Sequence, residues 1–225
     1  MPETTTITPD DVADALDGRI QGDVLTDRFS RSAYATAACI YRIPPLAIVV
    51  PKSADDVAAA VEAAARLGIP VTARGAGSGV VGQALGRGII LDFTKYMDQV
   101  LEIDSDARLV RVQPGAVTGD INAALAPHGL MLGPDPSSAP FCTIGGNLGT
   151  NASGARGIRY GSTREHVAWL DVILADGSGA RLEPLDSCGD AWRALSGRDD
   201  LLGRAAAGTR RIVEENADLL REHRP

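Results

Sequence analysis

Aromatic residues, cysteines and long apolar runs are all scarce in this sequence, and each scarcity narrows the possible classes of protein. Aromatic side chains make up 4% of the 225 residues, so we expect a core of Ala, Val, Leu and Ile. The three cysteines lie far apart and form no CxxC pair, which excludes a zinc ribbon or an iron–sulfur motif within this chain. No apolar run approaches the ~18 residues of a membrane span, so none is expected.

Acidic residues outnumber basic residues in this sequence. The formal net charge is −7, whereas a nucleic-acid-binding surface needs clustered Lys and Arg, so we expect no nucleic-acid partner. The first residues have neither a basic start nor an apolar core, and they therefore do not resemble a signal peptide. An odd number of thiols in an unexported chain predicts a reduced, cytoplasmic location.

Glycine, by contrast, is abundant and is concentrated in two stretches. The longer stretch runs from Gly133 to Gly161 and holds seven glycines among Ser, Thr and Asn, with Asp135 as its single acidic residue. The shorter stretch, Arg74–Gly82, has the sequence RGAGSGVVG. Glycines let a backbone approach a ligand closely, and hydroxyl and amide groups supply hydrogen bonds. We therefore interpret both stretches as loops that bind a large anionic ligand.

The rest of the chain predicts an α+β scaffold for these loops. A strand, a helix, a strand, the first loop and a strand follow one another over residues 46–92, which predicts a small βαβ-type unit with a parallel pair. Antiparallel hairpins are predicted where apolar and polar residues alternate, at 99–113, and again at 167–183. Residues 19–43 are expected to be irregular. The predicted helices span residues 8–18, 53–68, 118–126, 190–195 and 201–221.

Taken alone, the shorter loop leaves several functions open. It follows a predicted strand, so the N–H groups of its successive glycines are expected to form an anion site for a pyrophosphate. A Rossmann fingerprint is disfavoured, because the loop follows the second strand and Gly82, Gly86 and Gly88 interrupt any helix after it. A P-loop is excluded because Gly-Lys-Ser/Thr is absent. A glycine-rich connection without a ligand stays open.

The two loops occur together with four further motifs. The set consists of RGAGSGVVGQA, PDPSSAPFCTIGGNLGTNASGARGIRYGSTREHV, IVVPKSADDVAAAV, LDFTKYMDQVLEID, VQPGAVTGDIN and LADG. Over about residues 34–185 it resembles the FAD-binding PCMH-type domain of FAD-linked oxidases, shared by vanillyl-alcohol oxidase, p-cresol methylhydroxylase and the glycolate oxidase and D-lactate dehydrogenase flavoproteins. The resemblance is closest to the D-2-hydroxyacid dehydrogenase branch, including large fused proteins with FAD and iron–sulfur modules.

This resemblance implies an α+β domain with a small parallel-sheet subdomain, a larger antiparallel-sheet subdomain and flanking helices. Residues 1–40 would be an N-terminal helix and lead-in segment, and residues 41–225 the FAD-binding domain, with subdomains at about 41–97 and 98–225. Related domains continue further and are followed by a substrate domain. We therefore expect a fragment or one chain of a split enzyme, without catalytic residues or metal ligands of its own. Contact with the hydroxyacid substrate, and any attachment to the membrane periphery, would come through the missing domains. A homo-oligomer or a partner subunit is the expected form of assembly.

The resemblance also implies a FAD site of mainly neutral hydrogen-bonding groups, as suits the flavin positions N1, O2 and N5. The residues expected to hold the pyrophosphate or shape its turn are Arg74, Gly75, Ala76, Gly77, Ser78, Gly79 and Gly82. Those expected to line the flavin ring and ribityl chain are Pro136, Ser137, Thr143, Gly145, Gly146 and Asn147. Those expected to complete the pocket floor are Asn151, Ser153, Gly154, Tyr160 and Gly161.

FAD is expected to bind non-covalently. Covalently flavinylated relatives often carry His in the glycine loop, where this chain has Ser78 and no His between residues 69 and 82. Cys142 is interpreted as a small packed residue of the second loop, and Cys39 and Cys188 as buried fillers. His166, just before a predicted strand, is assigned a structural role.

Three functions fit these observations. The first, which we prefer, is the FAD-binding region of an enzyme that oxidises a small D-2-hydroxyacid such as lactate or glycolate, with hydride transfer to flavin N5. The second is a flavoenzyme like UDP-N-acetylenolpyruvoylglucosamine reductase, which shares the domain, needs NADPH and matches PDPSSAPFCTIGGN less well. The third is a truncated flavin- or partner-binding module without catalysis, whose exposed apolar seam favours homo-oligomers.

Overall fold

The computed structural model of the chain describes residues 6–186 and 189–223, which form two compact units. The first unit runs to Val167 and the second begins at Ala168. Cys188 lies outside the described residues, and the subdomain boundary expected near residue 98 stays a prediction. The strands are β1 (Asp23–Leu25), β2 (Ala47–Val50), β3 (Val71–Arg74), β4 (Ile89–Asp92), β5 (Val100–Asp104), β6 (Leu109–Val112), β7 (Leu170–Ile173) and β8 (Gly179–Leu182). The helices are α1 (Pro9–Leu16), α2 (Arg28–Ala33), α3 (Ala54–Leu67), α4 (Thr118–Leu125), α5 (Ile144–Thr150), α6 (Gly157–Tyr160), α7 (Asp190–Ser196), α8 (Leu201–Glu215) and α9 (Ala217–His223).

The first unit is built on a four-stranded sheet in the order β1-β2-β4-β3. Strands β2 and β3 both pair in parallel with β4, which confirms the predicted parallel βαβ-type unit. Every residue of β2 and of β4 is buried, as expected for parallel strands that are covered on both faces. Because parallel strands end at the same edge, Arg74 at the end of β3 lies opposite Asp92 at the end of β4. The first glycine loop starts at this edge.

Helices α1 and α3 begin where their capping residues predict. The Thr8 side chain accepts from the Asp11 N–H while the Asp11 side chain accepts from the Thr8 N–H, which forms a capping box for α1. Ser53 caps α3, and Gly68 ends it with φ +66°, the left-handed conformation that glycine adopts easily.

The expectation that residues 19–43 are irregular is wrong, because β1 and α2 lie there. Strand β1 pairs antiparallel with β2 at the edge of the sheet. Next to it, the carboxylate of Asp56 is 1% exposed and accepts three backbone hydrogen bonds. Their donors are Gln21, Gly22 and Lys52, at 2.9, 3.0 and 2.8 Å. A side chain from α3 therefore fixes the lead-in to β1, and no local pattern could reveal it.

The α+β class, with parallel and antiparallel strands and flanking helices, is confirmed. Among the described residues, the antiparallel strands beyond the central sheet form two separate two-stranded sheets, so the four-stranded sheet is the larger one. Strands β5 and β6 form the hairpin predicted at 99–113, and β7 and β8 form the one predicted at 167–183. Isolated hairpins are marginal in water. The first hairpin is stabilised by packing of its apolar face, including Ile103 and Val110, on Ile121 and Leu125 of α4.

The second unit contains a break in a helix that the sequence predicts as continuous over 201–221. Helix α8 ends at Glu215, and α9 begins at Ala217. Between them, Asn216 leaves the helical conformation with φ −114°, while its side-chain amide donates to the Ile212 carbonyl at 2.8 Å. Side-chain bonds of this kind compete with the helical backbone pattern, which explains the break. Within the described ranges, no helix is both long and apolar enough to cross a membrane.

Candidate functional site

The first glycine loop carries a row of backbone N–H groups without a partner among the described residues. Within residues 6–186 and 189–223, the N–H groups of Gly75 to Gly79 donate to no backbone carbonyl. Ala76 and Ser78 are exposed, and Gly77 between them has φ +67°. Successive N–H groups around a residue with positive φ form a concave site for an anion. The loop therefore offers what a pyrophosphate needs, from backbone atoms alone.

The side chain of Arg74 at the base of this loop is engaged with the protein. Its guanidinium donates to the Thr36 carbonyl at 3.0 Å and to the carbonyls of Tyr34 and Ala84 at 3.3 and 3.5 Å. It also lies over the Tyr34 ring, 5.1 Å from the ring centre. These contacts support the expected role of Arg74 in shaping the turn.

The two glycine loops are in direct contact, although they are far apart in the sequence. A Cβ atom on Gly75 would lie 2.0 Å from Oγ1 of Thr143 and 3.2 Å from its Cβ, so the approach leaves no room for a side chain at position 75. Thr143 is 2% exposed and caps helix α5. The structure thus joins one residue expected at the pyrophosphate with one expected at the flavin ring.

The N–H groups at the start of α5 are already used within the protein. Those of Ile144 and Gly145 donate to the carbonyls of Ala116 and Pro114, each at 2.9 Å. That of Gly146 donates to the Thr143 side chain at 3.3 Å. The start of α5 therefore differs from the first loop, whose N–H groups donate to no backbone carbonyl of the described residues. Gly146 is nevertheless exposed, next to the junction of the two loops.

Asn147, expected to line the flavin, is 5% exposed and holds the scaffold together. Its side-chain amide donates to the Thr118 hydroxyl at 2.8 Å, and that hydroxyl lies 3.2 Å from the Cys142 carbonyl. Cys142 itself is 3% exposed, which confirms its interpretation as a packed loop residue, whereas Cys39 is only half-buried. These contacts tie the entry of α5 to the start of α4.

Most of the remaining candidates lie in residues 133–137 and 151–166. A Cβ atom on Gly154 would lie 1.9 Å from the Asp135 carbonyl oxygen and 2.7 Å from the Pro136 nitrogen, so these two segments pack closely. The side chain of Asn151, which has φ +47°, accepts from the Arg164 N–H at 3.0 Å. Ser137 and Ser153 are exposed in this region. Gly161 has φ +70°.

His166 has a structural contact in this region. Its Nε2 lies 2.6 Å from the Tyr160 carbonyl, to which it donates because a carbonyl oxygen only accepts. This geometry supports the structural role assigned to His166. Sequence reasoning missed Gly133, where a Cβ atom would lie 2.7 Å from the His166 ring. Its position at the start of the glycine-rich stretch is the one local feature that points to it. The contact between Gly133 and His166 joins two residues that share no sequence motif.

A tyrosine that the sequence did not single out as a site residue connects the base of the first loop to the central sheet. The hydroxyl of Tyr34 donates a hydrogen bond to Asp92 at the end of β4. Burial, together with this bond to Asp92, raises the pKa of Tyr34 to about 12. Tyr34 therefore stays protonated and remains a donor at neutral pH.

The central sheet, the hairpin on α4 and the joined glycine loops define an α+β domain that binds a cofactor containing phosphate. Residues 45–183 match the family described as FAD binding domain. The chain belongs to this family, and FAD is its cofactor. The unpaired N–H groups of Gly75–Gly79 fit the pyrophosphate of that cofactor.

Curated relatives of the chain are much longer than the chain itself. D-2-hydroxyglutarate dehydrogenase of Pseudomonas putida is 38% identical over 207 residues, covering 89% of this chain and 20% of that protein. The glycolate oxidase subunit GlcD of Escherichia coli is 39% identical over 168 residues, covering 72% of this chain and 34% of the subunit. D-lactate dehydrogenase of Anaerostipes hadrus is 32% identical over 199 residues, covering 85% of this chain and 41% of that protein. The chain thus spans between a fifth and about two fifths of these relatives.

Solved structures share the fold. An alkyldihydroxyacetonephosphate synthase superposes with a TM-score of 0.67 at 23% identity, covering 82% of this chain and 36% of that one. The 6-hydroxy-D-nicotine oxidase of Arthrobacter nicotinovorans superposes with a TM-score of 0.65 at 24% identity, covering 79% of this chain and 38% of that one. At these identities the likeness concerns the fold alone.

Proposed function

We propose that this chain is the FAD-binding region of a flavin-dependent oxidoreductase that oxidises a D-2-hydroxyacid of the lactate or glycolate type. The observation that carries the proposal is the row of unpaired N–H groups at Gly75–Gly79, held against the second loop through Thr143. The similarity to D-2-hydroxyglutarate dehydrogenase, glycolate oxidase and D-lactate dehydrogenase sequences supports the substrate class.

In this proposal the chain binds and orients the cofactor without a covalent bond. The first loop holds the pyrophosphate, and the exposed surface around Gly146 and Ser137 faces the flavin ring. When bound, FAD supplies N5 as the acceptor of the hydride from the α-carbon of the substrate. Recognition of the substrate carboxylate and removal of its proton are assigned to parts outside these residues, in keeping with the small share of each relative that the chain spans. A cytoplasmic location and association with a partner subunit stay predictions.

The first test is retention of FAD by the purified chain and by Gly77→Val. The wild-type chain is expected to keep a structured flavin absorbance band after incubation with excess FAD and desalting. Gly77→Val is expected to lose it, because a Cβ atom there would lie 2.9 Å from Nη2 of Arg74 and the residue has φ +67°. Gly129→Val is the matched control, since Gly129 has φ +68° and open space around it. Equal retention by Gly77→Val and the control would contradict the pyrophosphate assignment.

Anaerobic reduction of the FAD-loaded protein separates the reductase alternative from the other two functions. Bleaching of the flavin band by D-lactate, glycolate or D-2-hydroxyglutarate supports the proposal. Bleaching by NADPH without bleaching by any hydroxyacid favours the reductase alternative. Retention of FAD that neither reagent reduces counts against the reductase alternative and agrees with the other two functions, because the proposal places substrate recognition outside these residues.

A further inference from the structure

A short segment between α2 and β2 lies against the first glycine loop. We call residues 34–38 the anchoring segment. Its Ala38 N–H donates to the Gly77 carbonyl at 3.0 Å, and its Thr36 carbonyl accepts from Arg74 at 3.0 Å. The loop is therefore held by a part of the chain that none of the recognised glycine motifs includes.

The guanidinium of Arg74 joins the anchoring segment to the loop. Three backbone carbonyls accept its hydrogen bonds, and two of them belong to the segment. On the other side, Gly77 is buried and approaches the guanidinium so closely that a Cβ atom would lie 2.9 Å from Nη2. A planar group with five N–H donors can satisfy several carbonyls in this way, whereas a lysine presents one compact point charge.

The anchoring segment is itself fixed to the central sheet. The Tyr34 hydroxyl donates to Asp92, and Asp92 also accepts from the Thr94 N–H at 2.8 Å. A continuous series of contacts thus runs from the end of β4 through Tyr34 and Arg74 to Gly77.

We propose that Arg74 is a positioning residue of the cofactor site: its guanidinium fixes the first glycine loop to the anchoring segment and keeps the N–H groups of Gly75–Gly79 convergent on the pyrophosphate. The guanidinium acts through the backbone of the loop and does not itself pair with the phosphate charge. A preorganised loop loses less conformational freedom when it binds, and this raises affinity. The inference rests on FAD binding by this site and is independent of the proposed substrate.

The first measurement is the Kd of FAD for Arg74→Met, Arg74→Lys and a control. Because each variant loses charged hydrogen bonds to several carbonyls, both are expected to raise the Kd by ~10- to 100-fold. Arg66→Met, at an exposed arginine near the end of α3, is the matched control and is expected to bind FAD as the wild type does. A Kd for Arg74→Lys equal to that of the wild type would overturn the proposal, since it would show that the charge alone suffices.

The salt dependence of the Kd separates positioning from direct ion pairing. Loss of a direct contact between Arg74 and phosphate would reduce the slope of log Kd against log salt. The positioning role predicts the same slope for Arg74→Met and the wild type, with a constant difference in affinity. A reduced slope in the variant would therefore overturn the proposal.

Limited trypsin digestion without FAD tests the anchoring contact independently of the cofactor. Arg42 is exposed four residues after the anchoring segment and is a natural cleavage site. Cleavage after Arg42, followed by mass spectrometry, is expected to be faster in Arg74→Met than in the wild type and in Arg66→Met. Unchanged cleavage would overturn the proposal. Failure of the wild-type chain to bind FAD would instead contradict the cofactor assignment, while the digestion would still report on the contact.

If circular dichroism shows that Arg74→Met does not fold, a milder variant is used to test the same proposal. Tyr34→Phe keeps the arginine and its charge but removes the hydrogen bond to Asp92. Weaker FAD binding and faster cleavage after Arg42 are expected in this variant too. Wild-type behaviour of Tyr34→Phe in both measurements would overturn the proposal.

Discussion

At the scale of single residues, Gly146 is the sharpest test of the flavin-ring side of the site. It is exposed beside the junction of the two loops, and a Cβ atom there would lie 3.2 Å from Oγ1 of Thr143, with no other described atom outside its chain neighbours and its own helix backbone within 4 Å. Gly146→Leu is therefore expected to fold and to fail to retain FAD, because its side chain occupies space needed by the ring. Gly208→Leu in α8 is the control, since a Cβ atom there would meet no described atom within 4 Å apart from its chain neighbours and its own helix backbone. A normal flavin spectrum in Gly146→Leu, measured after desalting, would refute this side of the site.

The sequence predicted the two loops of the site but not their internal contacts. Glycine density and the order of motifs are local features, so Gly75–Gly79 and the second loop could be recognised. The approach of Gly75 to Thr143, and the bond from Asn147 to Thr118, join residues far apart in the chain. Such pairs depend on how the elements pack, and local patterns in the sequence do not show which distant residues will meet.

At the scale of elements, the contact between the anchoring segment and β4 makes stability sensitive to alkaline pH. The pKa of Tyr34 is raised to about 12 in the folded chain, by burial and by Asp92, from an ordinary value of 10.0. Its contribution to the free energy of unfolding is therefore fully present below about pH 10 and is lost as the pH rises through about 12.

Urea denaturation of the wild type and Tyr34→Phe tests this dependence. Below about pH 10 the variant is expected to be less stable by ~1.5–3 kcal/mol, the usual range for a hydrogen bond to a charged group. Between about pH 10 and 12 the difference is expected to shrink, because ionisation weakens only the wild type. A constant difference across this range would contradict the assignment of the bond between Tyr34 and Asp92.

Elements with strong local signals were predicted, and elements fixed by distant contacts were not. Capping residues identified α1 and α3, and a continuous apolar run identified β2. Strand β1 has three half-buried residues and depends on its pairing with β2. Helix α5 has the sequence IGGNLGT, whose glycines disfavour a helix, and its first N–H groups rely on carbonyls of Ala116 and Pro114. Tertiary contacts thus override weak propensity at both places.

At the scale of the whole molecule, the exposed apolar side chains of α8 and α9 predict self-association. On α8 and α9, Ile212 and Leu219 are 58% and 55% exposed. Light scattering on a concentration series is expected to show a mass above that of the monomer, and Ile212→Glu with Leu219→Glu is expected to lower it. Leu101→Glu on β5, where Leu101 is 52% exposed, serves as the control. A monomer at every concentration would contradict this prediction.

The contact between Gly75 and Thr143 also limits how such domains can exchange sequence. A relative with a larger residue at the first position must have a smaller one at the second, because the space holds only one of the two side chains. A chimaera with its crossover between the loops would combine two halves that were not shaped for each other. The segment from β3 to α5 is therefore expected to be inherited as one block, even though its two functional loops appear separate in the sequence.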